Sequence, residues 1–221
     1  MALRFSFLTL GLVCLAQLPA QVIVQPGAPG QNSKILTPAS LHITPRAPSD
    51  ADVKFMQGMI HHHSQAVEMV AMMPARTHNK ALLKLGQRIS ISQTDEIQYM
   101  QQWLRDRGKA VPMKHDMSHM NGMSMSGMMD MDAMAPMPGM LTPKQMKALA
   151  ASHGARFDYL FLTGMIQHHT GALIMVDDLF DSPGAGQDPL LFDFATDVTN
   201  TQTAEINIMK GLLNENSKEK K

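Results

Sequence analysis

The chain has 221 residues, 19 of them basic and 19 acidic, for a formal net charge of zero. That length supports one bundle-sized core or two small ones, and the balanced charge excludes the clustered positive excess of a nucleic-acid or anionic-membrane surface. Cysteine occurs once, at Cys14, while methionine occurs 22 times.

Residues 1–20 have the pattern of a secretory signal. Arg4 supplies the positive start, and Phe5–Ala16 is an apolar stretch too short to span a bilayer. Cleavage after Ala20 would give an exported, periplasmic or secreted chain without thiols, in an oxidising compartment. Val13 is larger than the small residue that a lipid-anchored Cys14 would need before it. No later stretch is apolar enough to cross a membrane. Residues 21–48, with Pro26, Pro29, Pro38, Pro45 and Pro48, predict a flexible leader without regular structure.

Ser49-Asp-Ala-Asp52 predicts a helix start by capping box. Phe55, Met59, His62, Ala66, Met69 and Met73 follow at helical spacing on one face, and Pro74 ends the helix. A second helix runs from Asn79 to Arg107, with Gly108 as its stop. Its inward stripe is Leu82, Leu85, Ile89, Gln93, Glu96, Met100 and Trp103. A Met-rich linker over 112–140 follows. Thr142-Pro143-Lys-Gln145 then starts a third helix, predicted to run unbroken to about Phe180. A fourth opens at Asp188-Pro189, and the chain ends in a basic tail, 216–221.

The helices repeat. Phe55-Met-Gln-Gly-Met-Ile-His-His-His-Ser-Gln-Ala-Val-Glu-Met-Val70 aligns without a gap on Phe161-Leu-Thr-Gly-Met-Ile-Gln-His-His-Thr-Gly-Ala-Leu-Ile-Met-Val176, and Gln93-Thr-Asp-Glu-Ile97 on Gln202-Thr-Ala-Glu-Ile206. The unit is a helical hairpin used twice, over 49–108 and 142–215. Two hairpins apolar on one face bury it best against each other, so an all-α four-helix bundle is expected, with no strands.

The paired histidines carry the chemistry. Neutral imidazole binds copper, zinc, iron or nickel, and thioether selects soft ions such as Cu(I). Met59, His62, His63 and Met69 offer mixed nitrogen and sulfur ligands along one helix, as do Met165, His168, His169 and Met175. His61 stands opposite Gln167 and is a lesser candidate. Glu96 and Glu205, on the core stripe, are either metal ligands, acceptors orienting an imidazole, or partners of Gln93 and Gln202. At a rise of ~1.5 Å per residue, Glu96 is expected about 9 Å beyond the level of His62, which counts against direct ligation. In the linker, His115, Met117, His119, Met120 and Met123 lie among Gly, Ser, Asp and Pro. Residues of that kind build no core, which leaves soft-cation capture as the physical reason for the thioethers.

The Glu-x-x-His pairs of di-iron bundles are missing, as are a blue-copper cysteine and a phosphate loop. An enzyme is therefore not expected. The Met-Ile-x-His-His-x-x-Ala-x-x-Met segments, with Gln-x-x-Glu-Ile in the paired helix, resemble the DUF305 domain family over about residues 49–215. That resemblance implies a ferritin-like four-helix bundle and a relation to periplasmic copper-binding proteins of the CopM type. It also implies His62, His63, Met59, Met69 and their second-copy equivalents as ligands. The expected function is sequestration or shuttling of Cu(I) or Cu(II) in support of copper tolerance, with a copper-exporting or copper-accepting protein as partner. Two other readings stand beside it: a metal-dependent redox enzyme, or a non-metal interaction module gripping a partner through the Met-rich linker. With ordinary imidazole titration, the helix sites should weaken below about pH 6 while the linker thioethers persist.

Overall fold

The helix starts lie where the capping signals place them. The computed structural model describes residues 23–25, 32–36, 46–112 and 137–218. Helix α1, Asp50–Ala71, begins at Ser49, whose hydroxyl accepts from the Asp52 N–H (3.1 Å) while the Asp52 carboxylate accepts from the Ser49 N–H (2.8 Å). Such a box is worth about 1 kcal/mol. A 3-10 turn at Met73–Ala75 contains Pro74. Helix α2, Lys80–Asp106, is capped by the Asn79 side chain and ends before Gly108, whose φ of 63° relieves the turn. Thr142 and Gln145 form the second capping box at helix α3, Pro143–Ala150. Helices α4, Gly154–Asp181, and α5, Pro189–Lys218, make the second hairpin. The Asp188 carboxylate accepts from the first N–H groups of α5, at Leu190 and Leu191. The expected tail from 216 is helical as far as Lys218.

Two expectations need correction. The third helix is not continuous. His153 is extended and Gly154 has a φ of 55°, so the chain turns between α3 and α4. Arg76, from the α1–α2 connection, stabilises this break: its Nε donates to the Ala150 carbonyl (2.8 Å) and its own carbonyl accepts from the Gly154 N–H (2.7 Å). The leader also contains regular structure. Strands β1, Ile23–Gln25, and β2, Lys34–Leu36, pair antiparallel with Val24 opposite Ile35. This hairpin belongs to a separate unit, residues 1–45.

In the unit from Arg46 onward, α1 packs on α2, α4 on α5, and α1 on α4. The core falls into two apolar clusters. One holds Phe55, Met59, Met100, Trp103, Val176, Leu191 and Val198; the other holds Met69, Leu82, Ile89, Phe157, Phe161, Met165 and Met209. The repeat explains this division, since Phe55 and Phe161, Met59 and Met165, and Leu191 and Leu82 are counterparts that sit in opposite clusters. Helices α1 and α4 therefore run antiparallel about a pseudo-twofold axis, each presenting its first half to the other's second half. Between the two apolar clusters lies a polar layer.

Candidate metal centre

That layer is built from the repeated histidines. His62, His63, His168 and His169 are all fully buried. The His62 and His168 rings meet across the α1–α4 crossing, with centroids 3.7 Å apart and planes tilted by 38°. His63 and His169 stand 6.3 and 6.2 Å from their helix neighbours. One layer thus contains both pairs.

Every Nε2 faces an oxygen. His63 Nε2 donates to Glu96 (2.6 Å), His169 Nε2 to Glu205 (2.7 Å), His168 Nε2 to the His62 carbonyl (2.8 Å) and His62 Nε2 to the Pro138 carbonyl (3.0 Å). In the neutral imidazole these acceptors place the hydrogen on Nε2 and leave the lone pair on Nδ1. All four Nδ1 atoms are buried without a hydrogen-bond partner. Four buried Nδ1 atoms without a partner in the middle of a bundle are costly for stability, and as lone pairs they would suit a cation.

Glu96 and Glu205 each contact an imidazole, the orienting role that their place on the core stripe allows; the offset of about 9 Å is expected from His62, and Glu96 meets His63 instead. Side chains on a helix lean toward its N-terminus. In an antiparallel pair, His63 and Glu96 lean in opposite directions along the axis, and their side chains meet. The alternative partner is corrected. Glu96 accepts from His63 and from the Ser92 hydroxyl (2.7 Å), while the buried Gln93 and Gln202 amides have no hydrogen-bond partner. Burial alone would raise the Glu96 pKa, but the hydrogen bond and charge of His63, with Ser92, bring it below the usual carboxylate value.

Burial, then the charge of His63, pushes the His62 pKa down to about 3. His168 is also held well below the usual imidazole value, by burial first and then by His62. Both rings are neutral at physiological pH. Proton competition at these two groups therefore sets in well below the pH of about 6 expected from ordinary imidazole.

The methionines of one helix do not gather at its own histidines. Met59 lies in one apolar cluster and Met69 in the other, on opposite sides of the layer. Each side instead receives a methionine from each copy: Met59 with Met175, and Met69 with Met165. The Met69 methyl lies against Gly164 and the Met175 methyl against Gly58, a reciprocal fit across the crossing. His61 is half-buried outside the layer. His115, Met117, His119, Met120 and Met123 fall outside the described residues. Among the described residues, no three His, Cys, Asp or Glu side chains already stand in metal-holding geometry.

A short segment closes one face of the layer. Residues 137–141 cross α1 and α4 as a strap, with the Pro138 carbonyl on His62. Gln65 holds the Leu141 backbone at both ends of its amide (2.7 and 3.0 Å), and Gln167 Nε2 donates to the Gly139 and Met140 carbonyls (3.2 and 3.3 Å). Gly139 has a φ of 76°, and a Cβ there would stand 2.5 Å from the Gln167 carbonyl. A Cβ on Gly171 would overlap the Pro138 carbonyl. These positioning residues escape motif reading, yet a signal exists. Gln65 is the repeat counterpart of Gly171 and Gln167 that of His61, so the copies depart from each other where a single strap touches both.

A family model described as a domain of unknown function, DUF305, matches residues 52–213. The chain belongs to the DUF305 family. Solved DUF305 structures share its fold. One is a fragment from Deinococcus radiodurans, 25% identical, covering 77% of this chain and 99% of that one at a TM-score of 0.62. Another is a DUF305 protein from Streptomyces coelicolor assigned as secreted, 28% identical, covering 76% and 94% at a TM-score of 0.60. CopM in its Cu(I)-bound form is 25% identical and covers 74% and 96% at a TM-score of 0.54. CopM has also been solved with Cu(II) and with silver. No curated protein matches the chain. Among the described residues of this DUF305 protein, no helix is long and apolar enough to cross a membrane.

Proposed function

We propose that this DUF305 protein is an exported copper-binding protein that sequesters or shuttles Cu(I) and Cu(II) and supports copper tolerance. The observation that carries the reading is the layer of four buried imidazoles, each oriented through Nε2 and each with an unpartnered Nδ1. A core has no structural reason to bury four such lone pairs, whereas a borderline or soft cation would take them as ligands. Ring rotation, or thioether from Met59 and Met175 on one side and Met69 and Met165 on the other, would complete the coordination. Copper-bound CopM at a similar fold supports the choice of metal, and the Met- and His-rich stretch around His115–Met123 supports a preference for Cu(I). The signal-like residues 1–20 support export, after which copper would pass to or from a second copper-handling protein. A binding role, without turnover, fits the absence of a di-iron ligand pattern in the sequence.

Titration of the chain lacking residues 1–20 with Cu(I), against a competing chelator, tests this reading. Substitution of His62 and His168 by Ala should weaken the tightest site at least tenfold. Affinity equal to that of a His- and Met-poor control bundle would overturn the proposal, and metal-dependent turnover of oxygen or peroxide would favour a redox enzyme.

A further inference from the structure

We infer that residues 137–141 are a lid on the imidazole layer, and that an ion enters or leaves past His62 only when this strap lifts. The inference rests on the metal-binding reading but stands on separate contacts. The strap occupies the α1–α4 crossing at the point where His62 and His168 meet, and its Pro138 carbonyl holds the outward nitrogen of His62 at 3.0 Å. With His62 fully buried, that carbonyl is the contact to be broken before the ring can turn. The opposite sides of the layer are closed differently. There the Glu96 and Glu205 side chains, carried by α2 and α5, hold His63 and His169.

Within the strap, Leu141 is buried in the second apolar cluster and forms its fixed end, whereas 137–140 are held by few interactions. Two glutamine amides grip its backbone, and a glycine-on-glycine approach lets it lie close to α4. Hydrogen bonds of this kind, partly open to water, are individually weak, so the strap belongs to the low-stability end of the structure while the helices beneath it remain packed. It therefore has the two properties of a gate: it blocks the site when seated, and it can leave without unfolding the bundle. Gln65, Gln167 and Gly171 are its positioning residues, and none of them touches an imidazole nitrogen.

Two variants loosen the strap while keeping every histidine and methionine. Gly171→Ala places a methyl where the Pro138 carbonyl sits, and Gln65→Ala with Gln167→Ala removes the anchors from the surface should the first variant fold poorly. Two readouts are compared with the wild type at equal helical content by circular dichroism: the stopped-flow rate of Ag(I) uptake, and carbethoxylation of His62 in the metal-free protein by mass spectrometry. Loss of the anchors should raise both rates about tenfold or more, the population of the lifted state rising with each lost contact. Unchanged rates in well-folded variants would overturn the lid. If the wild type takes up no Ag(I), the copper reading fails, and carbethoxylation alone decides the strap: a rise supports it and no rise rejects it.

Discussion

In the first hairpin His63 meets Glu96 at 2.6 Å, and in the second His169 meets Glu205 at 2.7 Å. Phe55 and Phe161, Met59 and Met165, Gly58 and Gly164 likewise hold matching places about the axis. Among the places where the hairpins differ are Gln65 against Gly171 and His61 against Gln167, and of these Gln65, Gly171 and Gln167 touch the strap. Their agreement shows what both copies must do, which is to present an imidazole backed by a carboxylate. Their disagreement shows what is done once, because a single strap cannot obey a twofold axis.

The largest test of that equivalence is in the apolar clusters. Phe161 is fully buried, whereas Phe55 is 6% exposed and meets Phe194 edge-on. Phe161→Ala should cost about 3–5 kcal/mol of stability in urea unfolding and Phe55→Ala somewhat less. Equal losses would mean that the clusters are energetically symmetric despite this difference.

Acid should next act on the two central imidazoles alike. Folding depresses the His62 pKa to about 3 and that of His168 in the same direction, so below pH 6.5 the unfolded chain takes up protons that the fold excludes. Their contribution is complete above pH 6.5 and is lost as pH falls. The loss should be about 2 kcal/mol between pH 6.5 and 5.5 for the pair. Glu96, also depressed, adds a loss of the same sign below its ordinary value of 4.5. Thermal unfolding against pH should show a shallower slope in His62→Gln and, by the same amount, in His168→Gln.

Removal of either carboxylate leaves a buried Nε2–H without an acceptor, at about 1–3 kcal/mol. Glu205→Ala should cost more than Glu96→Ala, since the Glu205 side chain is 10% exposed and that of Glu96 22%, which lets water replace the latter. The smallest effect concerns the glycines at the crossing. Gly58→Ala should stabilise by up to about 1 kcal/mol through helix propensity, because its new methyl meets Met175 and Met137 at ordinary distances. Gly164→Ala should gain less, with Leu141 only 3.0 Å from the added Cβ. Melting temperatures of the two variants measure the difference.

The helices were legible because caps and stripes are local. Ser49, Asn79 and Thr142 bond within their own first turns, so the sequence alone carries their effect. The break at His153 and Gly154 was not legible, because the group that stabilises it, Arg76, comes from the other hairpin. The histidine layer is visible as a repeat, and the imidazole-orienting role of Glu96 stands among the alternatives that its place on the core stripe allows. The strap could not be read at all from spacing. Its main contact is a backbone carbonyl at Pro138, which no residue type announces. The pH behaviour was misjudged for a related reason, since desolvation of His62 depends on the depth at which the fold places it.

The Met-rich stretch is tied to the bundle at two neighbouring points. The chain departs at Ala110, whose carbonyl accepts from Gln57 (2.8 Å), and Met137 lies beside Gly58, the next residue of α1. The described ends that flank residues 113–136 are therefore moored beside consecutive residues of α1. On the proposed copper-binding reading, removal of residues 113–136 should change the rate at which an ion is lost, which dissociation kinetics with and without that stretch would check.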